Sequence, residues 1–99
     1  MPDGSVSELV ARFQLRRRAH TVAFARGVRL ARQGAVSLAT VTDTLVRGLV
    51  EDADRTHTVD LSVSDGGIEG ACTCASTDNP CAHQVAVAHA LWVSDRRRA

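Results

Sequence analysis

The chain has no lysine, only three aromatic residues and only three cysteines. Each shortage closes off a class of protein. Without Lys there is no G-x-x-x-x-G-K phosphate loop, so that route to nucleotide hydrolysis is excluded. The aromatics are Phe13, Phe24 and Trp92, and the two Phe fall at core positions. Bases would have little to stack on, so any contact with nucleic acid would go mainly to phosphate. An odd cysteine count argues against a disulfide framework and for a reducing compartment. No apolar run approaches the ~20 residues that span a bilayer. The start, Met1 to Ser5, lacks the basic and apolar regions of a signal peptide. The expectation is a cytoplasmic protein with no membrane contact.

Ninety-nine residues make one domain with a modest core, in which a structural metal would supply a sizeable part of the stability. The net charge of +1 hides a segregation. Residues 1–50 carry eight Arg against Asp3, Glu8 and Asp43, giving +5. Residues 51–95 carry Arg55 against eight acids, giving −7, and Arg96 to Arg98 follow. Two readings fit: a basic binding face, or two solvated surfaces that attract each other.

Ser5 and Glu8 form an S-x-x-E capping box, and Val6, Leu9, Val10 and Phe13 predict an amphipathic helix over 6–18. Arg16 to Arg18 in its last turn suit the helix dipole. Thr21 is a candidate N-cap for a second helix over 22–33, with Val22, Phe24, Ala25, Val28 and Ala31 on its apolar side. Arg26, Arg29 and Arg32 make a basic stripe along it, and Gly34 stands where a helix stops. Gly27, inside this helix, predicts close packing, with a sheet as the expected neighbour. From residue 35 the period changes to two. Val36, Leu38 and Val41 predict one strand, Thr42-Asp43 a turn, and Leu45 to Glu51 a second strand, with Gly48 as a bulge or packing gap. Residues 51–55 are acidic and read as a loop. His57, Val59, Leu61 and Val63 alternate with polar residues in the clearest strand, and Asp65-Gly66-Gly67 is a hairpin turn. Ile68, Gly70, Cys72 and Cys74 share one face of a fourth strand. After a polar loop, Asp78 or Asn79 can cap a last helix, with Pro80 at its first position. That helix runs through Val85, Val87, Ala88, Leu91 and Trp92. The expected architecture is α+β: a small antiparallel sheet of about four strands between an N-terminal helical segment and a C-terminal helix.

The chemistry is concentrated in Cys72-x-Cys74, six intervening residues, then Cys81-x-His83. Three soft thiols and an imidazole within twelve residues are the ligand set of a tetrahedral zinc site. On a strand, residues two apart point the same way, so Cys72 and Cys74 aim at one point. On a helix, residues two apart diverge by about 200°, so Cys81 belongs in the turn or first helical position, with His83 one step inside. Four protein ligands leave no position for water, which marks a structural site. The competing readings are a Cys-x-Cys redox pair and a Cys81 nucleophile activated by His83, but no orienting group or oxyanion hole accompanies them. His89 is a candidate substitute ligand; His20 and His57 read as structural.

The pattern resembles the SWIM zinc finger, whose signature is C-x-C-x(n)-C-x-H in a strand–strand–helix arrangement. The likeness extends upstream to Ala25-Arg26-Gly27, Gly34-Ala35-Val36 and the Val59, Leu61, Val63 strand with its Asp-Gly-Gly turn, and downstream through Cys81 to Ala86. It spans about residues 22–93. The aromatic common in the upstream helix is replaced by Val28 or Leu30, and His57 stands where another is common. The division that follows is an N-terminal helix over 1–19, the finger domain over 20–95 and a basic tail over 96–99. The resemblance implies an interaction module that binds DNA or protein. The closed site makes it no enzyme, with no small-molecule substrate, and the acidic 51–95 region favours a protein partner, with the module as an accessory to a helicase-like ATPase. The alternative is DNA binding through Arg26, Arg29 and Arg32 with the basic tail.

Overall fold

Helix, four strands and helix follow one another in the order of the hydrophobic periods. The structure, a computed structural model, describes residues 21–64, 67–74 and 81–98. Helix α1 is Thr21–Arg32, and β1 (Val36–Val41), β2 (Leu45–Asp52), β3 (Arg55–Ser64) and β4 (Gly67–Cys72) lead to helix α2, Ala82–Arg98. The strands form one antiparallel meander in sequence order, so the expected α+β fold is the observed one. The helix over 6–18 with its Ser5 and Glu8 box, His20, the Asp65-Gly66 turn and the Asp78 to Pro80 segment lie outside the described residues.

Thr21 stands within α1, and the buried ridge is Ala23, Gly27 and Leu30. Val22, expected on the apolar side, is 67% exposed, and Ala25 is exposed as well. The reason is the identity of the neighbour. α1 packs on α2, and a Cβ on Gly27 would lie 2.5 Å from Val85 Cβ and 2.6 Å from the Ala82 carbonyl oxygen. Gly27 therefore permits a helix-to-helix approach, where the sequence suggested helix to sheet. Small side chains four apart select this ridge over the bulkier one beside it. α1 ends in a Schellman motif: the Ala35 N–H reaches the Leu30 carbonyl at 3.1 Å and the Gly34 N–H reaches Ala31 at 3.2 Å. Gly34 takes a φ of 76°, the left-handed conformation this motif demands.

In β1 the register with β2 shifts between Leu38 and Thr40, opposite Gly48 and Arg47. The bulge is thus on the strand facing Gly48. Gly48 itself is a packing gap, since a Cβ there would lie 2.6 Å from Val87 Cγ2. The Thr42 hydroxyl accepts the Leu45 N–H at 2.9 Å, which closes the predicted turn. The acidic stretch 51–55 is not a loop. β2 and β3 pair to their ends, Asp52 opposite Arg55. Only Ala53 and Asp54 turn, both left-handed at φ 51° and 67°, as a two-residue primed hairpin turn requires. The inner face carries Val46, Val50, Val59 and Leu61 into a core with Leu30, Ala86, Val87, Ala88 and Leu91. On the outer face Arg47 and Asp60, paired across β2 and β3, bond through Nε and Nη2 at 2.8 and 3.1 Å.

α2 is buried on every side from Ala82 to Ala88. It lies between the sheet and α1, which explains a sequence of Ala and Val without a polar stripe. The helix continues through Arg98, so three of the four residues of the expected tail are helical.

Gly27→Ala is expected to destabilise the protein by about 1–3 kcal/mol through overpacking, although alanine is the better helix former by ~1 kcal/mol. Urea titration of the two proteins measures the difference, and a stabilised variant would contradict the close approach.

Candidate metal centre

β4 ends at Cys72, and Cys74 lies in a bend beyond it, so the two cysteines do not share a strand face as expected. Thr73 still donates its N–H to the Thr58 carbonyl at 3.1 Å. Its hydroxyl accepts the Thr58 N–H at 3.0 Å, in the role a ladder carbonyl would otherwise fill. The chain then curls, and the Cys74 N–H points at Cys72 Sγ at 3.5 Å. A turn that folds back over its own sulfur brings Cys74 round to the side of Cys72.

The other half of the site is the start of α2. Cys81 immediately precedes the helix, and its carbonyl accepts the first helical bond from Val85 at 3.1 Å. Cys81 therefore stands at the N-cap position of α2. The Gln84 N–H, three residues in, bonds to the Cys81 side chain, so sulfur takes the role that oxygen plays in a Ser or Asp cap. His83 sits in the first turn, as the divergence argument required.

These four residues meet. Cys72, Cys74, Cys81 and His83 place one ligand atom each within 4.8 Å of all the others. Cys72 Sγ lies 3.6 Å from His83 Nδ1. A tetrahedral zinc with Zn–S of about 2.3 Å and Zn–N of about 2.0–2.1 Å has S–S edges of about 3.8 Å and S–N edges of about 3.5 Å. The Cys72–His83 edge has that length, the remaining ligand atoms lie within 4.8 Å, and the donors are of the right softness for zinc. All three cysteines are free thiols. Burial, opposed by the Cys74 N–H, pushes the Cys72 thiol up to about 12. Burial also raises Cys81, against the Gln84 N–H.

Nδ1 of His83 faces the sulfurs while Nε2 lies 2.9 Å from Asp52 Oδ2. The Asp52 carboxylate in turn receives Arg26 Nη2 at 2.6 Å. The His83 hydrogen bond, followed by the charge of Arg26, holds the Asp52 carboxyl below its ordinary range, against partial burial. The His57 ring stacks on His83 with centroids 4.3 Å apart. Sequence reasoning missed Asp52, which sat in the supposed loop, and placed Arg26 in a binding stripe. It also passed over His57 as merely structural. One signal was present for His57. His57 shares the alternating face of Val59 and Leu61, and Val59 pairs with Cys72, which sets His57, two residues along, beside the site.

His89 is not among the clustered ligands. It lies further along α2 with its ring tilted against Trp92 at 5.8 Å, and burial, then the charge of Arg32, lowers its pKa. Arg29 and Arg32 are exposed on α1. Among the described residues no helix is long and apolar enough to cross a membrane. Comparison of the chain with family models, curated proteins and solved structures finds no match. What the fold and the cluster define is a small α+β protein with a possible Cys3His metal site, compatible with a zinc finger.

The raised thiols retain their protons at neutral pH in the metal-free protein, and each must lose its proton to bind metal. Zinc uptake should therefore release protons, and apparent affinity should climb from about pH 6 to about pH 8. Chelator competition across that range measures it, and a flat profile would contradict a thiolate site.

Proposed function

We propose that this chain is a SWIM-type zinc-binding interaction module, in which zinc is structural and a protein partner docks on the surfaces beside it. The observation that carries the reading is the convergence of Cys72, Cys74, Cys81 and His83 to within 4.8 Å of one another at a strand-to-helix junction. Four protein ligands complete the coordination, so the module has no water position and no catalytic step. Three thiolates and a neutral imidazole outweigh the ion by one negative charge. The acidic 51–95 region adds to that sign, which favours a protein partner over phosphate. By resemblance the partner is a helicase-like ATPase, and the odd count of free cysteines favours a reducing compartment, the cytoplasm.

The alternative, DNA binding through Arg26, Arg29 and Arg32, is weakened by one contact: Arg26 is paired with Asp52. It retains Arg29, Arg32 and the Arg96 to Arg98 cluster.

Metal analysis of protein purified without chelator should find one zinc per chain. Zinc binding in fingers is worth about 10–16 kcal/mol, as much as or more than the net stability of a domain, about 5–15 kcal/mol. Cys72→Ser or His83→Ala should therefore unfold the C-terminal half, read by circular dichroism. Absence of stoichiometric zinc defeats the reading. Capture of partners from nuclease-treated lysate separates its two forms. Loss of every partner on digestion, with salt-dependent DNA binding that Arg29→Ala and Arg32→Ala abolish, would favour DNA.

A further inference from the structure

We infer that Asp52, held by Arg26, is the positioning residue that fixes His83 as an Nδ1 ligand of the metal. The inference rests on the metal reading above and goes beyond its four ligands. An imidazole has two nitrogens, and which one meets the metal is decided by the partner of the other. Here Nε2 has a carboxylate at 2.9 Å and Nδ1 has Cys72 Sγ at 3.6 Å. A carboxylate only accepts, so it keeps the proton on Nε2 and leaves the Nδ1 lone pair for the ion.

Arg26 is needed for the carboxylate to stay. With metal bound the centre carries a net charge of −1, and Asp52 puts a second negative charge next to it. The guanidinium at 2.6 Å offsets that repulsion. Side-chain exposure falls from 55% at Arg26 to 16% at Asp52 and 8% at His83, so the chain of contacts runs from solvent to the buried ring. Its geometry depends on features far apart in sequence. Gly27 lets α1 come close enough to α2 for Arg26 to reach. The Ala53-Asp54 turn ends β2 with Asp52 on the inner face, two residues past Val50. His57 closes one face of the ring by stacking.

The test uses the full-length protein with Zn2+ and Co2+ as probes. Asp52→Ala should weaken zinc binding about 10- to 100-fold in chelator competition. Asp52→Asn, which keeps the shape and an acceptor but not the charge, should lose several-fold, and Arg26→Ala a similar amount. Asp60→Asn breaks the other strand carboxylate pair, on the opposite face, and should change nothing. In the Co2+ form, the visible ligand-field bands should shift in Asp52→Ala and stay in Asp60→Asn. Nitrogen-15 spectra of the wild type should show His83 protonated at Nε2 and metal-bound at Nδ1. If Asp52→Ala does not fold, the isosteric Asp52→Asn carries the comparison. Asp52 variants binding zinc within twofold of wild type, or a His83 metallated at Nε2, would overturn the assignment while leaving the zinc module intact. A wild-type protein that takes up no metal would defeat both.

Discussion

Four groups that water would otherwise solvate are brought within 4.8 Å of one another at the junction of β4 and α2, and the rest of the fold is arranged to tolerate that crowding. Two of them, Cys81 and His83, are buried, and burial of polar groups without partners is costly. The local backbone supplies N–H groups to two of the sulfurs, from Cys74 to Cys72 and from Gln84 to Cys81. These donors favour thiolate, but burial outweighs them and keeps the metal-free thiols protonated, so the charge state a metal demands comes only with the ion. The sheet brings one pair of ligands, and the capped helix brings the other. Because α2 is also the central layer of the core, the start of the helix cannot shift to relieve the crowding without disturbing Val85 and Val87.

The packing of α1 belongs to the same arrangement. Ala25-Arg26-Gly27 and Gly34-Ala35-Val36 carried the resemblance upstream of the ligands, and each now has a physical role. Arg26 neutralises the carboxylate that meets His83. Gly27 removes the side chain that would hold the helices apart. Gly34 supplies the left-handed residue that ends α1, and Ala35 and Val36 pack against the core. A glycine and an arginine in a helix thus serve a site more than forty residues away in sequence.

Much of the fold was legible because it rests on local signals. The change of period at residue 35, the Thr42 turn and the alternation of β3 each follow from short-range sterics and burial. The four ligands were legible because their residue types are rare in so polar a segment. The failures have one cause, which is that the deciding neighbour was distant. The apolar ridge of α1 was misjudged because side-chain size favoured Val22 and Phe24, while the close approach of α2 favours Ala23 and Gly27. The β2–β3 turn was missed because Ala53 and Asp54 are unusual in left-handed conformation, where Asn-Gly would have announced the hairpin. With that turn read as a loop, Asp52 had no face assigned to it and could not be connected to His83. The geometry at Cys74 failed for the same reason: Thr73 Oγ1 replaces a ladder contact, and no strand pattern announces that substitution.

The six residues between Cys74 and Cys81 separate the two halves of the ligand set. Each half is shaped by its own hydrogen bonds, Cys72 with Cys74 on one side and Cys81 with Gln84 on the other. An ion shared by the two halves would cross-link the end of β4, an edge of the sheet, to the start of α2. Such a cross-link ties two elements by coordination as a disulfide ties them by a covalent bond, and it can be opened by a chelator or a proton.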